Sequence, residues 1–278
     1  MKESHLKREF PMSQKNFDQV KEVAYVLTGI KLTDHKKNMI YSRLARRIRQ
    51  RGLNSFDDYC HLLNQQGNDE ATEFVNAITT NLTSFFRENH HFEYLKNSVF
   101  PELIKKNSRS RKVRVWSAGC STGEEPYSIA ICVSEQMPIG SWDIKVLATD
   151  LDTNVVAHAK RGVYQDDRIE SIDEGRSRKW FLRDANGSEV RVKRSLQELI
   201  TFKPLNLLER WPMKGPFDVI FCRNVVIYFD KETQRKLFNR YADMLAPGGY
   251  LFIGHSENLH KVCNRFESLG KTIYRKID

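Results

Sequence analysis

Two glycines four residues apart, Gly119 and Gly123, are followed at once by Glu124 and Glu125, and residues 114–127 read as strand, glycine turn and helix. Glycine in such a turn lets backbone approach a ligand closely, and open α/β sheets take ligands at the carboxyl ends of their strands. The spacing is G-x-x-x-G rather than G-x-G-x-x-G, and carboxylates at a helix start repel a pyrophosphate. That pattern disfavours a nicotinamide dinucleotide and favours a ligand with an ammonium group. The methionine end of S-adenosylmethionine carries one. The plainer alternative is that acids at a helix N-terminus answer only the helix dipole. About thirty residues after Gly119 the next apolar segment ends in Asp150, followed by Asp152. A carboxylate there accepts the hydrogens of ribose hydroxyls. Asp150 is the better candidate, because Asp152 is positioned to cap a helix starting near Thr153; a turn role for both is the alternative.

These residues need a parallel sheet to position them. Apolar segments at 113–118, 144–149, 217–222 and 250–254, with weaker ones at 199–203 and 272–275, alternate with helical patterns. The segment 217–229 is a buried strand leading to Asn224 and the aromatic Tyr228; Asp230 then N-caps a helix with Leu237, Phe238, Tyr241 and Leu245 on its apolar face. That helix stops at Ala246-Pro247-Gly248-Gly249, directly before a strand, as in Rossmann-like methyltransferases. Residues 13–82 show helical periodicity alone (Val20, Val23, Leu27; Ile40, Leu44, Ile48; Phe74, Ile78, Leu82), punctuated by Gly29, Gly52 and Gly67. The expected fold is therefore α/β: a Rossmann-like S-adenosylmethionine-dependent methyltransferase sheet, preceded by an all-α N-terminal domain. The division is expected as a helical domain at 1–88 and a methyltransferase domain at 89–278. Asn186-Gly187 ahead of the alternating run Glu189-Val190-Arg191-Val192-Lys193 signals an inserted β-hairpin subdomain at about 180–203. It reads either as a bare surface hairpin or as a partner-binding subdomain.

No stretch approaches eighteen apolar residues, and residues 1–5 carry charge without an apolar core, so neither a transmembrane helix nor a signal peptide is expected. Five cysteines without a C-x-x-C pair suggest no metal site and no disulfide framework, and a cytoplasmic protein. The net charge is +10, and residues 31–51 hold eight basic residues against one acid, a local excess of seven. On a helix at 34–51, Ile40, Leu44 and Ile48 share a face flanked by Tyr41, while Lys36, Arg43, Arg46 and Arg47 gather on the adjoining one with Gln50. Asp34 is placed to cap this helix and Gly52 to end it. The basic face is a candidate docking surface for an acidic partner.

The runs Asn81-Leu82-Thr83-Ser84-Phe85-Phe86-Arg87, Ser121-Thr122-Gly123-Glu124-Glu125-Pro126-Tyr127-Ser128, Phe221-Cys222-Arg223-Asn224-Val225, Ile227-Tyr228-Phe229-Asp230 and Gly254-His255-Ser256-Glu257-Asn258 resemble the CheR family of bacterial chemotaxis receptor methyltransferases. The resemblance covers nearly the whole chain. It implies S-adenosyl-L-methionine-dependent methylation of glutamate side chains on chemoreceptor (methyl-accepting chemotaxis protein) cytoplasmic helices during adaptation. The products are glutamate γ-methyl esters and S-adenosyl-L-homocysteine. By matching motif positions, Asn81, Thr83, Arg87, Glu125, Asp150, Asn206, Leu207, Asn224 and Val225 contact the cofactor, joined by Gly119 from the glycine turn. Arg87 and Tyr228 lie nearest the transferred methyl and are the catalytic candidates.

The implied partner is the receptor's cytoplasmic domain, with the membrane reached only through the receptor, and the inserted hairpin matches the family's small β-subdomain. The implied chemistry needs no general base, since a glutamate is already ionised at pH 7. Phe85, Phe86, Tyr228 and Phe229 are candidates to line a dry pocket, where Arg87 holds one carboxylate oxygen by a charge-assisted hydrogen bond while the other attacks. Two other classes fit parts of the chain. A nucleic-acid amino-methyltransferase suits the basic charge, but Asn224-Val225-Val226-Ile227-Tyr228 lacks the paired prolines of its usual motif, so no nucleic-acid partner is expected. A non-catalytic protein docking through its basic helix is the other.

Overall fold

The computed structural model describes residues 8–65 and 69–277, so the charged start at residues 1–5 and Gly67 lie outside the described residues. The chain forms two compact units. One takes residues up to Thr80 together with Tyr228–Asp230, and the other takes Asn81–Ile227 and the chain from Lys231 onward. The division thus falls at 80/81 rather than after residue 88, because the stretch that follows Thr80 is hydrogen-bonded into the loops of the second unit. Among the described residues, no helix is long and apolar enough to cross a membrane.

The helical unit contains α1 (Gln14–Thr28), α2 (Lys37–Gln50), α3 (Phe56–Leu63) and α4 (Glu70–Ile78). A capping box of Ser13 and Asn16 starts α1. Ile40, Leu44 and Ile48 are fully buried, as are Phe17, Phe56, Tyr59 and Phe74 from the other three helices. The basic helix is shorter than expected. Asp34–Lys36 form a separate 3-10 turn, Lys36 occupies the N-cap, and Asp34 faces Lys21 at 3.5 Å instead of capping. Gly52 ends the helix in left-handed backbone (φ 65°), with the Leu53 N–H donating to the Ile48 carbonyl at 3.0 Å.

Much of the basic face turns inward. Arg47 donates from Nε (3.0 Å) and Nη2 (2.8 Å) to Glu70, whose side chain is fully buried and also accepts from the Tyr59 hydroxyl (2.8 Å) and from Arg51. Burial pushes the Glu70 carboxyl up, but its bonds to Arg47, Tyr59 and Arg51 outweigh that and hold it below the usual carboxylate range. Arg43 donates to the carbonyls of Ala77 (3.2 Å) and Thr79, which lie at the end of α4 where helical carbonyls lack partners. The helical wheel put Arg43 and Arg47 on a solvent-facing docking surface; they instead fasten α2 to α4. Arg46 remains exposed, and Lys36 sits half-buried with its ammonium 4.5 Å above the Tyr228 ring.

The second unit begins with α5 (His90–Tyr94), which passes through a π turn at Leu95–Val99 into α6 (Phe100–Lys106). There follow β1 (Lys112–Ala118), α7 (Glu124–Gln136), β2 (Asp143–Asp150), α8 (Thr153–Arg161), β3 (Val163–Gln165), α9 (Glu174–Trp180), β4 (Phe181–Arg183), β5 (Glu189–Val192) and α10 (Arg194–Gln197). The chain ends with β6 (Ile200–Pro204), β7 (Phe217–Cys222), α11 (Lys231–Met244), β8 (Leu245–Ile253), β9 (Phe266–Gly270) and β10 (Ile273–Lys276). Seven strands form one sheet in the order β6-β2-β1-β7-β8-β10-β9. The first five are parallel, and β10 and β9 pair antiparallel at one edge. The order reverses between β1 and β7, the switch point at which such sheets hold ligands. All six residues of β7 are buried, including Asp218, which accepts from the Asn107 side chain (3.0 Å) and the Arg114 amide (2.8 Å). The inserted subdomain is larger than the expected hairpin: β3 joins β5 and β4 in a three-stranded sheet, so it starts at Val163, while β6 belongs to the main sheet.

Replacing Arg47 with Ala leaves the buried Glu70 short of its main partner and is expected to cost about 3 kcal/mol in urea denaturation. Arg46→Ala should change stability by no more than about 0.5 kcal/mol. Equal stability of the two variants would show that Arg47 does not hold the helices together.

Candidate functional site

The sequence candidates within the second unit gather at the carboxyl ends of β1, β2, β6 and β7, together with the stretch Asn81–Arg87. Gly119 lies in left-handed backbone (φ 96°), and a Cβ placed there would come within 2.3 Å of Val225 Cγ2. Any side chain at 119 would therefore drive apart the loops that follow β1 and β7. The Gly119 and Cys120 amides both donate to the Thr149 carbonyl, at 2.8 and 2.9 Å, which ties the glycine turn to the end of β2.

Asp150 is half-buried at that end. One carboxylate oxygen accepts from the Ser121 amide (2.8 Å) and the other from the Asp152 amide (3.0 Å), leaving lone pairs on both for a further donor. Burial pushes its carboxyl up to about 6. Asp152 caps α8 by accepting from the Asn154 and Val155 amides, and its other oxygen accepts from the Asn81 side-chain amide at 2.7 Å. The Asn81 carbonyl in turn accepts from the Ser121 hydroxyl (2.8 Å), and the Thr83 carbonyl accepts from Arg168 (2.8 Å). After β6, the Leu205 amide donates to the Asp150 carbonyl (2.8 Å), which brings Asn206 and Leu207 beside the same strand end. Asn206 closes a local turn by accepting from the Leu208 amide, and Leu207 is buried.

The two carboxylates that begin α7 are not free charges. Glu124 is paired with Arg168 and accepts from the Thr122 hydroxyl (2.6 Å). Glu125 accepts from the Ser117 hydroxyl (2.7 Å) and from Arg223 Nη1 (3.2 Å), and burial raises its carboxyl above the usual range in spite of that arginine. Repulsion of a pyrophosphate by two bare carboxylates therefore does not describe this loop, because arginines distant in sequence compensate both. Arg223 was not among the expected site residues. Its guanidinium is almost fully buried and also donates to the Arg87 carbonyl.

Glu257 was likewise missed. It accepts four backbone amides, from Asn224 (3.0 Å), Val225 (2.9 Å), Val226 (2.9 Å) and Gly254 (2.6 Å), and so shapes the loop after β7. The only sequence signal for either residue was its place inside a family-like motif. Arg87 itself is half-exposed, with its guanidinium on the Leu82 carbonyl at 2.9 Å. Phe85 is buried, edge-on to Tyr164 and Phe181 at 5.1 and 5.3 Å between ring centres. Phe86 packs edge-on to Phe92 with the Arg176 guanidinium over its face. Tyr228 and Phe229 belong to the helical unit.

The family model described as the CheR methyltransferase SAM binding domain matches residues 81–275, and that described as the CheR methyltransferase all-alpha domain matches residues 15–79. The chain is 45% identical over 273 residues to chemotaxis protein methyltransferase 2 of Pseudomonas aeruginosa, covering 96% of this chain and 95% of that one. It is 44% identical over 260 residues to a probable chemotaxis protein methyltransferase of Rhizobium etli, covering 90% and 96%. With the chemotaxis protein methyltransferase of Escherichia coli it shares 42% identity over 267 residues, covering 95% and 91%.

Glu257→Gln replaces one acceptor oxygen with a donor amide facing backbone N–H groups. It is expected to lower stability by about 2–4 kcal/mol, read as a fall in Tm, because buried donors are left unsatisfied. A variant with wild-type Tm would mean that the loop after β7 holds its shape without this carboxylate.

Proposed function

The chain belongs to the CheR methyltransferase family, and from that premise we propose that it methylates glutamate side chains on the cytoplasmic helices of chemoreceptors, forming γ-methyl esters. It is an S-adenosylmethionine-dependent methyltransferase of chemotaxis. The observation that carries the choice of substrate is the basic helix. Residues 31–51 contribute an excess of seven positive charges in a chain of net +10, and Arg46 stays exposed on α2 after Arg43 and Arg47 are used internally. Such a surface complements a helix bearing clustered carboxylates. Exposed pairs are worth only about 0–1 kcal/mol each, so it acts collectively and mainly on encounter rate.

The cofactor supplies an electrophilic sulfonium methyl group. Asp150 accepts the ribose hydroxyl hydrogens with the lone pairs that the Ser121 and Asp152 amides leave open. Gly119, Asn224 and Val225 bring backbone close to the cofactor, with Asn81, Thr83, Asn206 and Leu207 around it and Glu125 towards its ammonium end. Arg87 holds one oxygen of the substrate carboxylate. A glutamate is ionised at neutral pH, so none of these residues has to remove a proton. Their work is to align oxygen, methyl and sulfur, an effect that reaches roughly 7–11 kcal/mol at its upper limit.

The decisive assay mixes the enzyme, labelled cofactor and chemoreceptor-rich membranes, then treats the product with alkali. Ester label is released as methanol, and Arg46→Glu raises the KM for receptor several-fold at low salt, with S-adenosylhomocysteine affinity unchanged. Alkali-stable label, or none, rules the substrate out.

The Asp150 role has its own pH signature. Only the ionised carboxylate accepts from both hydroxyls, and its proton leaves near pH 6, so affinity is full at higher pH and lost as pH falls through that value. Calorimetry with S-adenosylhomocysteine should show about a tenfold loss per unit below pH 6, and Asp150→Asn should flatten the profile at a weaker level. A flat wild-type profile removes Asp150 from the cofactor site.

A further inference from the structure

Glu88 follows Arg87 in left-handed backbone (φ 56°), and its carboxylate points into the interior of the second unit. Oxygen Oε1 accepts from His255 Nδ1 at 3.1 Å and lies 3.6 Å from Arg223 Nη2. Oxygen Oε2 is buried and has no hydrogen-bond partner. At 3.7 Å from Oε2 lies Nδ1 of His91, a fully buried side chain, and that nitrogen has no partner either.

The protonation of His91 follows from its other nitrogen. Nε2 lies 2.9 Å from the Lys271 carbonyl oxygen, which can only accept, so Nε2 carries the hydrogen and Nδ1 presents a lone pair. Thr272 Oγ1, 3.1 Å from Nε2, directs its own hydrogen to the same carbonyl and so leaves that tautomer in place. His91 Nδ1 and Glu88 Oε2 thus face one another across 3.7 Å, both buried and both without a hydrogen-bond partner. Uncompensated, such an arrangement is costly.

A third donor atom is in reach. His90 is half-buried, its ring centre 4.2 Å from that of His91, and one nitrogen from each histidine and one Glu88 oxygen lie within 4.8 Å of one another. Two imidazoles and a carboxylate are the donor set of zinc-class divalent ions, whereas calcium and magnesium take oxygen. The Nε2–H bond to a backbone carbonyl is the outer bond that metal-binding histidines use to fix tautomer and ring orientation. We propose that Glu88, His90 and His91 form a binding site for a zinc-class divalent cation, with His255 steadying Glu88. Ligand distances of about 2.0–2.2 Å require the three atoms to close in, with the half-buried His90 ring, whose Nε2 lies 3.3 Å from the Lys271 carbonyl oxygen, turning towards the other two. The site adjoins Arg223, which also holds Glu125 and the Arg87 carbonyl, so a cation there draws on the same carboxylate that balances this guanidinium.

Zinc competition against a chromophoric chelator tests this on the full-length, tag-free, reduced protein, with cobalt(II) absorption as a second readout. Cys263→Ser serves as the background, because Cys263 is the one free cysteine among the five that is not buried. One equivalent of zinc is expected to bind, with His90→Ala and Glu88→Gln each weakening it at least tenfold. His91→Gln should abolish binding, with circular dichroism reporting whether that buried change leaves the fold intact. Failure of the parent protein to compete with the chelator, or an affinity in the His90→Ala and Glu88→Gln proteins equal to the parent's, overturns the proposal and leaves a water bridging the two lone pairs.

Discussion

Arg223 leaves the end of β7 with a guanidinium that is almost fully buried, and three acceptors from two distant stretches of chain meet it: Glu125 at the start of α7, and the Arg87 carbonyl with the neighbouring Glu88. A buried cation with one partner removed is strongly destabilising, typically by 3–5 kcal/mol. The glycine turn, the 81–88 stretch and the loop after β7 therefore have to take up their positions together. Glu125 in turn holds Ser117 on β1, and the four amides on Glu257 fix the backbone directly after Arg223. Loops distant in sequence form one polar framework at the switch point of the sheet, and the candidate cofactor residues are carried on it.

This dependence explains what could be read in the chain and what could not. Strands β1, β2 and β7 were legible because their apolar residues are concentrated in short segments that the sheet buries. Strand β9 was not, since only Phe266 of its five residues is buried and no alternation marks it. Strand β3 has three residues with one buried, too short for any period to show. Asp152 as the cap of α8 followed from its position before Thr153, and that freed Asp150 for another role. The pairings of Glu124 with Arg168 and Glu125 with Arg223 span 44 and 98 residues, and nothing local in the sequence announces them.

The basic helix shows the same limit. A helical wheel gives the angle of Arg43 and Arg47 around α2 but not what stands opposite. What stands opposite is α4, with a buried carboxylate at Glu70 and, at its end, the Ala77 and Thr79 carbonyls that accept from Arg43. Charge used in this way contributes little to the field outside the protein, because Glu70 cancels part of it beyond the length of the ion pair and salt screens the remainder over a Debye length of about 8 Å. The surface that an acidic partner meets is narrower than the local excess of seven suggests and is centred on residues such as Arg46.

Four non-glycine residues of this framework lie in left-handed backbone: Phe86, Glu88, Ser121 and Asn224. Each costs on the order of 1–3 kcal/mol and persists only where its surroundings over-determine it. Here each is tied down separately. The Phe86 amide donates to Ser128, the Ser121 amide to Asp150, and the Asn224 amide to Glu257, while the Glu88 carbonyl accepts from the His91 amide and its carboxylate meets His255. A transfer whose nucleophile is already ionised asks a protein for placement rather than proton chemistry. Strain spent on backbone geometry, with each strained peptide held by a buried partner, is how a fold meets that requirement without a catalytic base.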